Sequence, residues 1–121
     1  MTAARQQLAR WGEALAADFL AAQCYEILER NVRTPYGELD LIACREDVTV
    51  FVEVKTRATG ACGLPEASVT PAKQAHILAS AQHYLQTHPN RDGDWRVDVI
   101  AIRRFPQRPP EIVHFENALR T

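Results

Sequence analysis

Lysine is almost missing from this chain of 121 residues, for Lys55 and Lys73 are the only two among fourteen basic side chains and the rest are arginine. A lysine in such a background marks a place where a compact, flexible point charge is wanted rather than a planar fork. An excess of positive charge is also lacking. The net charge of -1 excludes the basic field with which strong nonspecific nucleic-acid binders displace counterions from phosphates, so any such contact has to be local. Cysteine is scarce. Cys24, Cys44 and Cys62 are odd in number and form no CxxC spacing, which excludes a disulfide framework or a zinc knuckle and fits a reducing compartment. Long apolar runs are missing as well: the segment MTAARQQLARWGEALAADFL carries charges throughout and reads neither as a signal peptide nor as a membrane span. The expected location is the cytoplasm. His76, His83, His88 and His114 show no HExxH or paired ligand spacing, which argues against zinc. Trp11, Phe19, Trp95 and Phe105 are spaced as core residues and not as a stacking platform.

What is present suits a folded α/β protein. With 46% hydrophobic and 24% charged residues the chain is too apolar for disorder, and its length suits a single domain over residues 1–121 with one core. Leu8, Trp11, Leu15, Phe19 and Ala22 recur at helical spacing and predict a helix from Arg5 to Gln23 whose apolar stripe lies on a sheet. Strand patterns follow at Tyr25 to Val32, Glu38 to Cys44 and Val48 to Lys55, the first two separated by the turn residues Thr34-Pro35-Tyr36-Gly37. The stretch from Ala58 to Val69 holds Gly60, Gly63 and Pro65 without periodicity and reads as a loop near a site. Thr70 as N-cap and Pro71 at the first helical position start a second helix, buried through Ile77, Leu78, Ala81, Tyr84 and Leu85 and ended at His88-Pro89-Asn90. A strand from Trp95 to Ile102 and a short edge strand from Glu111 to Phe115 complete the order αβββαββ. A helix between the third and fourth strands makes those two parallel, while the tight connection before them makes an antiparallel hairpin. A mixed sheet flanked by helices is therefore expected.

Chemistry concentrates between Gly37 and Arg57, in GELDLIACREDVTVFVEVKTR. With Glu46-Asp47 as the hairpin turn, paired residue numbers sum to about 93, so Asp40 faces Glu53 and Glu38 faces Lys55. Leu39, Leu41 and Ala43 then oppose Val54, Val52 and Val50, which makes one face apolar and leaves the charges on the other. Two carboxylates directly opposite on a sheet lie roughly 4.5–5.5 Å apart at Cβ and repel. A hard divalent cation such as Mg²⁺ compensates them, because it takes oxygen ligands and completes its shell with water and substrate phosphate. It polarises a phosphodiester oxygen and activates an attacking water, and Lys55, on the same face as Glu53, is placed to orient that water or to offset charge on the phosphate. The alternative is a solvated sheet face on which Lys55 neutralises Glu38 and Glu53.

The segments Gly37-Glu38-Leu39-Asp40-Leu41-Ile42-Ala43 and Phe51-Val52-Glu53-Val54-Lys55-Thr56-Arg57 resemble the YraN-like family of small bacterial proteins, grouped with the PD-(D/E)XK nuclease superfamily. Gly12-Glu13, Lys73, Tyr84-Leu85 and Val97-Asp98-Val99-Ile100 extend the likeness over nearly the whole chain. The resemblance implies a restriction-endonuclease-like three-layer α/β core, a Mg²⁺ or Mn²⁺ cofactor, DNA as partner without a membrane, and, by similarity to dimeric Holliday-junction resolvases, a homodimer. It makes Asp40 and Glu53 metal ligands and Lys55 the catalytic lysine, although Leu39 stands where the superfamily motif has proline. Resolvase-like members add a glutamate from the first helix, where Glu13 is the candidate; on helical geometry it lies opposite the apolar stripe, near Ala9, Ala16, Ala17 and Leu20, and its other reading is an exposed helix glutamate. Glu38, Arg57, Lys73 and Gln74 are the expected substrate-side residues. Lys73, at the third position of its helix, opposes the helix dipole unless a phosphate binds there. Gln74 reads as a surface residue or as one that positions water. Arg57, Arg103, Arg104 and Arg108 are backbone-contact candidates or merely solvated. Two functions compete: an endonuclease acting on branched or damaged DNA, and a nuclease-fold module that binds nucleic acid or a protein without cleaving.

Overall fold

The computed structural model describes residues 2–58, 68–91 and 93–119; Cys62 and most of the expected 58–69 loop lie outside them. Helix α1 (Ala3–Ala21) is capped by the Thr2 side chain, which accepts from the Arg5 N–H. Strands β1 (Glu26–Thr34), β2 (Gly37–Arg45) and β3 (Val48–Arg57) form two antiparallel pairs, helix α2 (Pro71–Thr87) follows with Thr70 as its cap, and β4 (Trp95–Arg103) and β5 (Glu111–Leu119) close the sheet. A single 3₁₀ turn, Pro89–Arg91, follows α2. The strands lie in the order β1-β2-β3-β4-β5, with β3 and β4 parallel and β4 and β5 antiparallel. This is the restriction-endonuclease-like mixed α/β arrangement expected, a sheet between two helices. Among the described residues no helix is long and apolar enough to cross a membrane.

Each helix covers one face. Against α1, Ala16, Ala17 and Leu20 meet Leu41, Ala43, Val50, Val52, Ile100 and Ile102. Against α2, Ile77, Ala81 and Tyr84 meet Leu39, Ile42, Phe51 and Val97. Both faces of the central strands are thus buried, which corrects the expectation of one apolar and one charged face: Ile42 and Phe51 fill the second face, and the charges are confined to one end of it. The hairpin register holds where its turn dictates it, with Leu41↔Val52, Ile42↔Phe51 and Ala43↔Val50. Glu46 and Asp47 both take positive φ, 53° and 64°, as a two-residue hairpin turn matching strand twist requires.

Helix α1 departs from its sequence pattern in which side it buries. The fully covered residues are Gly12, Ala16, Ala17 and Leu20, whereas Trp11, Leu15 and Phe19 are only partly buried at the flank and Ala22 is exposed. Small side chains let the helix axis approach the sheet, and the bulky stripe seals the edge. Gly12 is a point of close approach, for a Cβ there would overlap Thr56 Oγ1 and Cγ2. Strand β5 runs four residues beyond the expected Phe115 because Asn117 takes a positive φ of 50° and its N–H donates to Asp98 Oδ1 at 2.8 Å, beside a register shift between Val97 and Val99.

Asp98 anchors a buried polar cluster on the α1 side. Fully buried, it accepts from Arg96 Nε at 3.0 Å and lies 2.7 Å from His114 Nε2, while Arg96 also donates to the Tyr25 hydroxyl at 2.9 Å. Burial works against its ionised form, but the hydrogen bonds from His114, Arg96 and the Asn117 N–H outweigh it and hold the Asp98 carboxyl below the usual range. A group so depressed adds stability above its unfolded pKa that is lost as pH falls through its folded value.

Two outcomes follow from this packing. Gly12→Ala should cost about 1–3 kcal/mol in urea unfolding, and Thr56→Ala in the same chain should recover part of the loss, because only a Cβ at 3.0 Å then remains. Asp98→Ala, which strands a half-buried guanidinium and an imidazole, should cost about 3–5 kcal/mol by the same measurement.

Candidate functional site

The site begins where the β2–β3 ladder ends. Paired residues run only from Arg45↔Val48 to Leu41↔Val52; one step further the Val54 N–H turns from a backbone acceptor to the Asp40 carboxylate, donating to Oδ2 at 2.9 Å. Glu38 therefore does not pair with Lys55 as expected. Strand β2 also rolls at this point, since Leu41 packs under α1 and Leu39 under α2. On the neighbouring strand Arg30↔Leu41 and Val32↔Leu39 flank Asn31, whose φ of 53° is left-handed, a conformation asparagine tolerates better than most residues. The two interruptions open the sheet next to Asp40, and groups from both layers converge there.

Glu53 reaches the opening from the α2 face with its side chain only 7% exposed. Burial, together with the Glu53 charge, pushes Asp40 up to about 8 despite the opposing hydrogen bond from the Val54 N–H. Glu13 comes from α1. Burial raises its pKa first, then the Glu38 charge and, more weakly, Glu53. Asn31, with its amide turned to satisfy its neighbours, donates from one nitrogen to Glu13 Oε1 at 2.9 Å and to Glu38 Oε1 at 3.2 Å. Glu38 also pairs with Arg33 at 3.8 Å. Glu13 thus faces the sheet beside the buried alanines rather than solvent on the far side of α1, because small residues, not the bulky stripe, form the contact face. Asn31 was not foreseen from sequence; only a polar residue able to adopt positive φ in mid-strand hinted at it.

The two lysines stand on the α2 side of the opening. Lys73 Nζ lies 2.5 Å from Glu53 Oε1. Burial disfavours its charge, but the bond to Glu53 and the charges of Glu53 and Asp40 prevail, so its pKa is raised. Lys55 shares the face of Glu53 and donates from Nζ to the Ser68 carbonyl at 2.6 Å. Gln74 turns to the loop end, its Nε2 donating to the Val69 carbonyl at 2.9 Å. Arg57 lines a separate cleft of about 530 Å³ with Arg5, Leu8, Ala9, Val54 and Thr56. Arg103 pairs with Glu111 at 3.7 Å, and Arg104 and Arg108 lie over the rings of Trp11 and Phe105 at 5.4 and 3.8 Å. These last three arginines are therefore held by their own chain.

The donor set is all oxygen, the chemistry of a hard cation rather than of zinc or copper. Among the described residues no three acidic, histidine or cysteine side chains are grouped so as to hold a metal ion between them. Two carboxylates with water and substrate oxygens suit Mg²⁺ or Mn²⁺. Burial and the Glu53 charge favour the protonated form of Asp40 in the metal-free protein, and a divalent cation would offset the same repulsion. Because Asp40 is raised from 3.8 to about 8, the native state binds more protons than the unfolded chain across that range, and metal-free stability falls as pH rises through it. Asp40→Asn lacks this dependence, so its melting temperature should gain on wild type as pH goes from about 4 to about 8; parallel slopes would contradict the raised Asp40 pKa.

Comparison with known proteins assigns the chain to a family without adding a reaction. A UPF0102 protein of Syntrophotalea carbinolica is 46% identical over 118 residues, covering 98% of this chain and 95% of its own. Another, of Dehalococcoides mccartyi, is 37% identical over 115 residues, covering 95% and 94%, and one of Geotalea uraniireducens is 44% identical over 113, covering 93% and 89%. The family pattern itself matches residues 12–102, from the glycine of the helix contact to the next-to-last residue of β4. The chain belongs to the uncharacterised protein family UPF0102, the YraN-like family that its motifs resemble.

Proposed function

We propose that this protein is a Mg²⁺- or Mn²⁺-dependent endonuclease that hydrolyses phosphodiester bonds in DNA, on branched or damaged structures, from a cytoplasmic location. The observation that carries the reading is the convergence of two carboxyl groups, Asp40 oriented by the Val54 N–H and Glu53 nearly enclosed, at the end of the β2–β3 ladder beside Lys73. The likeness of its motifs to PD-(D/E)XK nucleases supports it, and the resolvase likeness suggests a homodimer. Asp40 and Glu53 would hold the cation, with Glu13 the nearest carboxylate from the other layer. When bound, the cation supplies polarisation of the phosphoryl oxygen and a more acidic water. Lys55 offers a proton donor and a positive charge on the Glu53 side, where charge accumulates on the phosphate during attack. Asp40 is fixed by the Val54 N–H, so one ligand is oriented before anything binds.

Nicking of branched, flapped and linear DNA in the presence of Mg²⁺ or Mn²⁺ tests the reading. Asp40→Asn and Lys55→Ala should each lower the rate about a hundredfold or more. Equal rates in wild type and both variants would remove the assignment. A second reading, a nuclease-fold module that binds without cleaving, draws on the net charge of -1 and on arginines engaged with their own chain. Calorimetric Mn²⁺ binding without turnover on any of these substrates favours it.

A further inference from the structure

Lys73 holds an unusual position for a substrate-side residue, because its ammonium is paired with one of the two oxygens a cation would need. Glu53 is nearly enclosed, at 7% exposure, while Lys73 is 55% exposed and reaches down to it from the first turn of α2. An unbranched stem of this kind can let go of the carboxylate at little cost in packing. Next to it lies a cleft of about 390 Å³ lined by Lys73, Thr70, His76 and Ser80 from the α2 side and by Gly37 and Glu38 from the start of β2. Glu38 on that wall is partly offset by its pairing with Arg33.

We propose that Lys73 is an exchangeable counter-ion: it occupies Glu53 while the site is metal-free, leaves when a divalent cation binds, and then holds a phosphate of the nucleic-acid strand in the adjoining cleft. The inference rests on the carboxylate-pair reading given above and adds an order of events. A strand phosphate and Glu53 compete for one ammonium. Cation binding settles that competition, so cation and strand favour each other's binding, and by linkage the coupling is reciprocal. A lysine with only a phosphate-binding role predicts no effect on cation affinity, and one with only a structural role predicts no effect on the strand.

Mn²⁺ binding followed by electron paramagnetic resonance, together with anisotropy of a short labelled DNA oligonucleotide with and without non-cleaving Ca²⁺, separates these cases. Lys73→Met keeps the stem and removes the charge; it should bind Mn²⁺ about tenfold more tightly than wild type, the scale of one charged hydrogen bond. Wild type should bind the oligonucleotide better with Ca²⁺ than without, and Lys73→Met should lose most of that gain. Unchanged or weaker Mn²⁺ binding by Lys73→Met, with Glu53→Gln abolishing it in the wild-type background, overturns the exchange and leaves the metal centre standing. No Mn²⁺ binding by wild type or by Lys73→Met overturns both.

Discussion

The hydrogen bond from the Val54 N–H to Asp40 decides the geometry of everything around it. A backbone donor inside a sheet must find an acceptor, and here it finds a side chain in place of the facing strand. The ladder consequently stops at Leu41↔Val52, the strand rolls so that Leu39 and Leu41 enter different cores, and an opening forms through which groups from both layers approach one another. One carboxylate thus terminates the β2–β3 ladder and lies in the opening it creates.

Keeping that opening narrow demands a close helix. Gly12 sits against Thr56 without room for a methyl group, and Ala16 and Ala17 continue the contact, so Glu13, one residue past the glycine, is carried to the sheet instead of into water. Repulsion among Glu13, Glu38, Asp40 and Glu53 would then spread the layers. Asn31 bridges the first and second of these, Lys73 pairs with the fourth, and burial with the Glu53 charge favours the protonated form of the third. Each compensation uses a different means. Asp98 shows the opposite design, since its partners His114, Arg96 and the Asn117 N–H fully satisfy a buried carboxylate that stays ionised and fixes β4 to β5.

Element order, strand direction and hairpin register were all readable from the chain, because they follow from apolar periodicity and from turn residues close in sequence. Asp40 and Glu53 lie one step past Leu41↔Val52, the last pair of the enforced register. Alternation failed beyond Leu41, because period-two reasoning assumes a continued ladder and no pattern announces a side chain that takes a backbone donor. Asn31 was hidden for the same reason. The face of α1 was misjudged, since hydrophobicity ranks Trp11 and Phe19 above Gly12 and Ala16 whereas close packing prefers the small residues. The last turn of β5, Glu116 to Leu119, has no strand periodicity and exists through a tertiary bond to Asp98.

The choice of lysine at positions 55 and 73, in a chain that otherwise uses arginine, gains a physical sense from this arrangement. Glu53 lies at the bottom of a slot, and an ammonium on a thin stem can take one oxygen there and leave the other for Asp40 or a cation. A guanidinium fork would bind both oxygens side by side and be harder to release. Elsewhere permanence is useful: Arg96 locks onto Asp98, and Arg104 and Arg108 lie on aromatic rings. Arg96, Arg104 and Arg108 thus serve contacts that hold the fold, whereas Lys73 meets a single carboxylate oxygen at the edge of the opening.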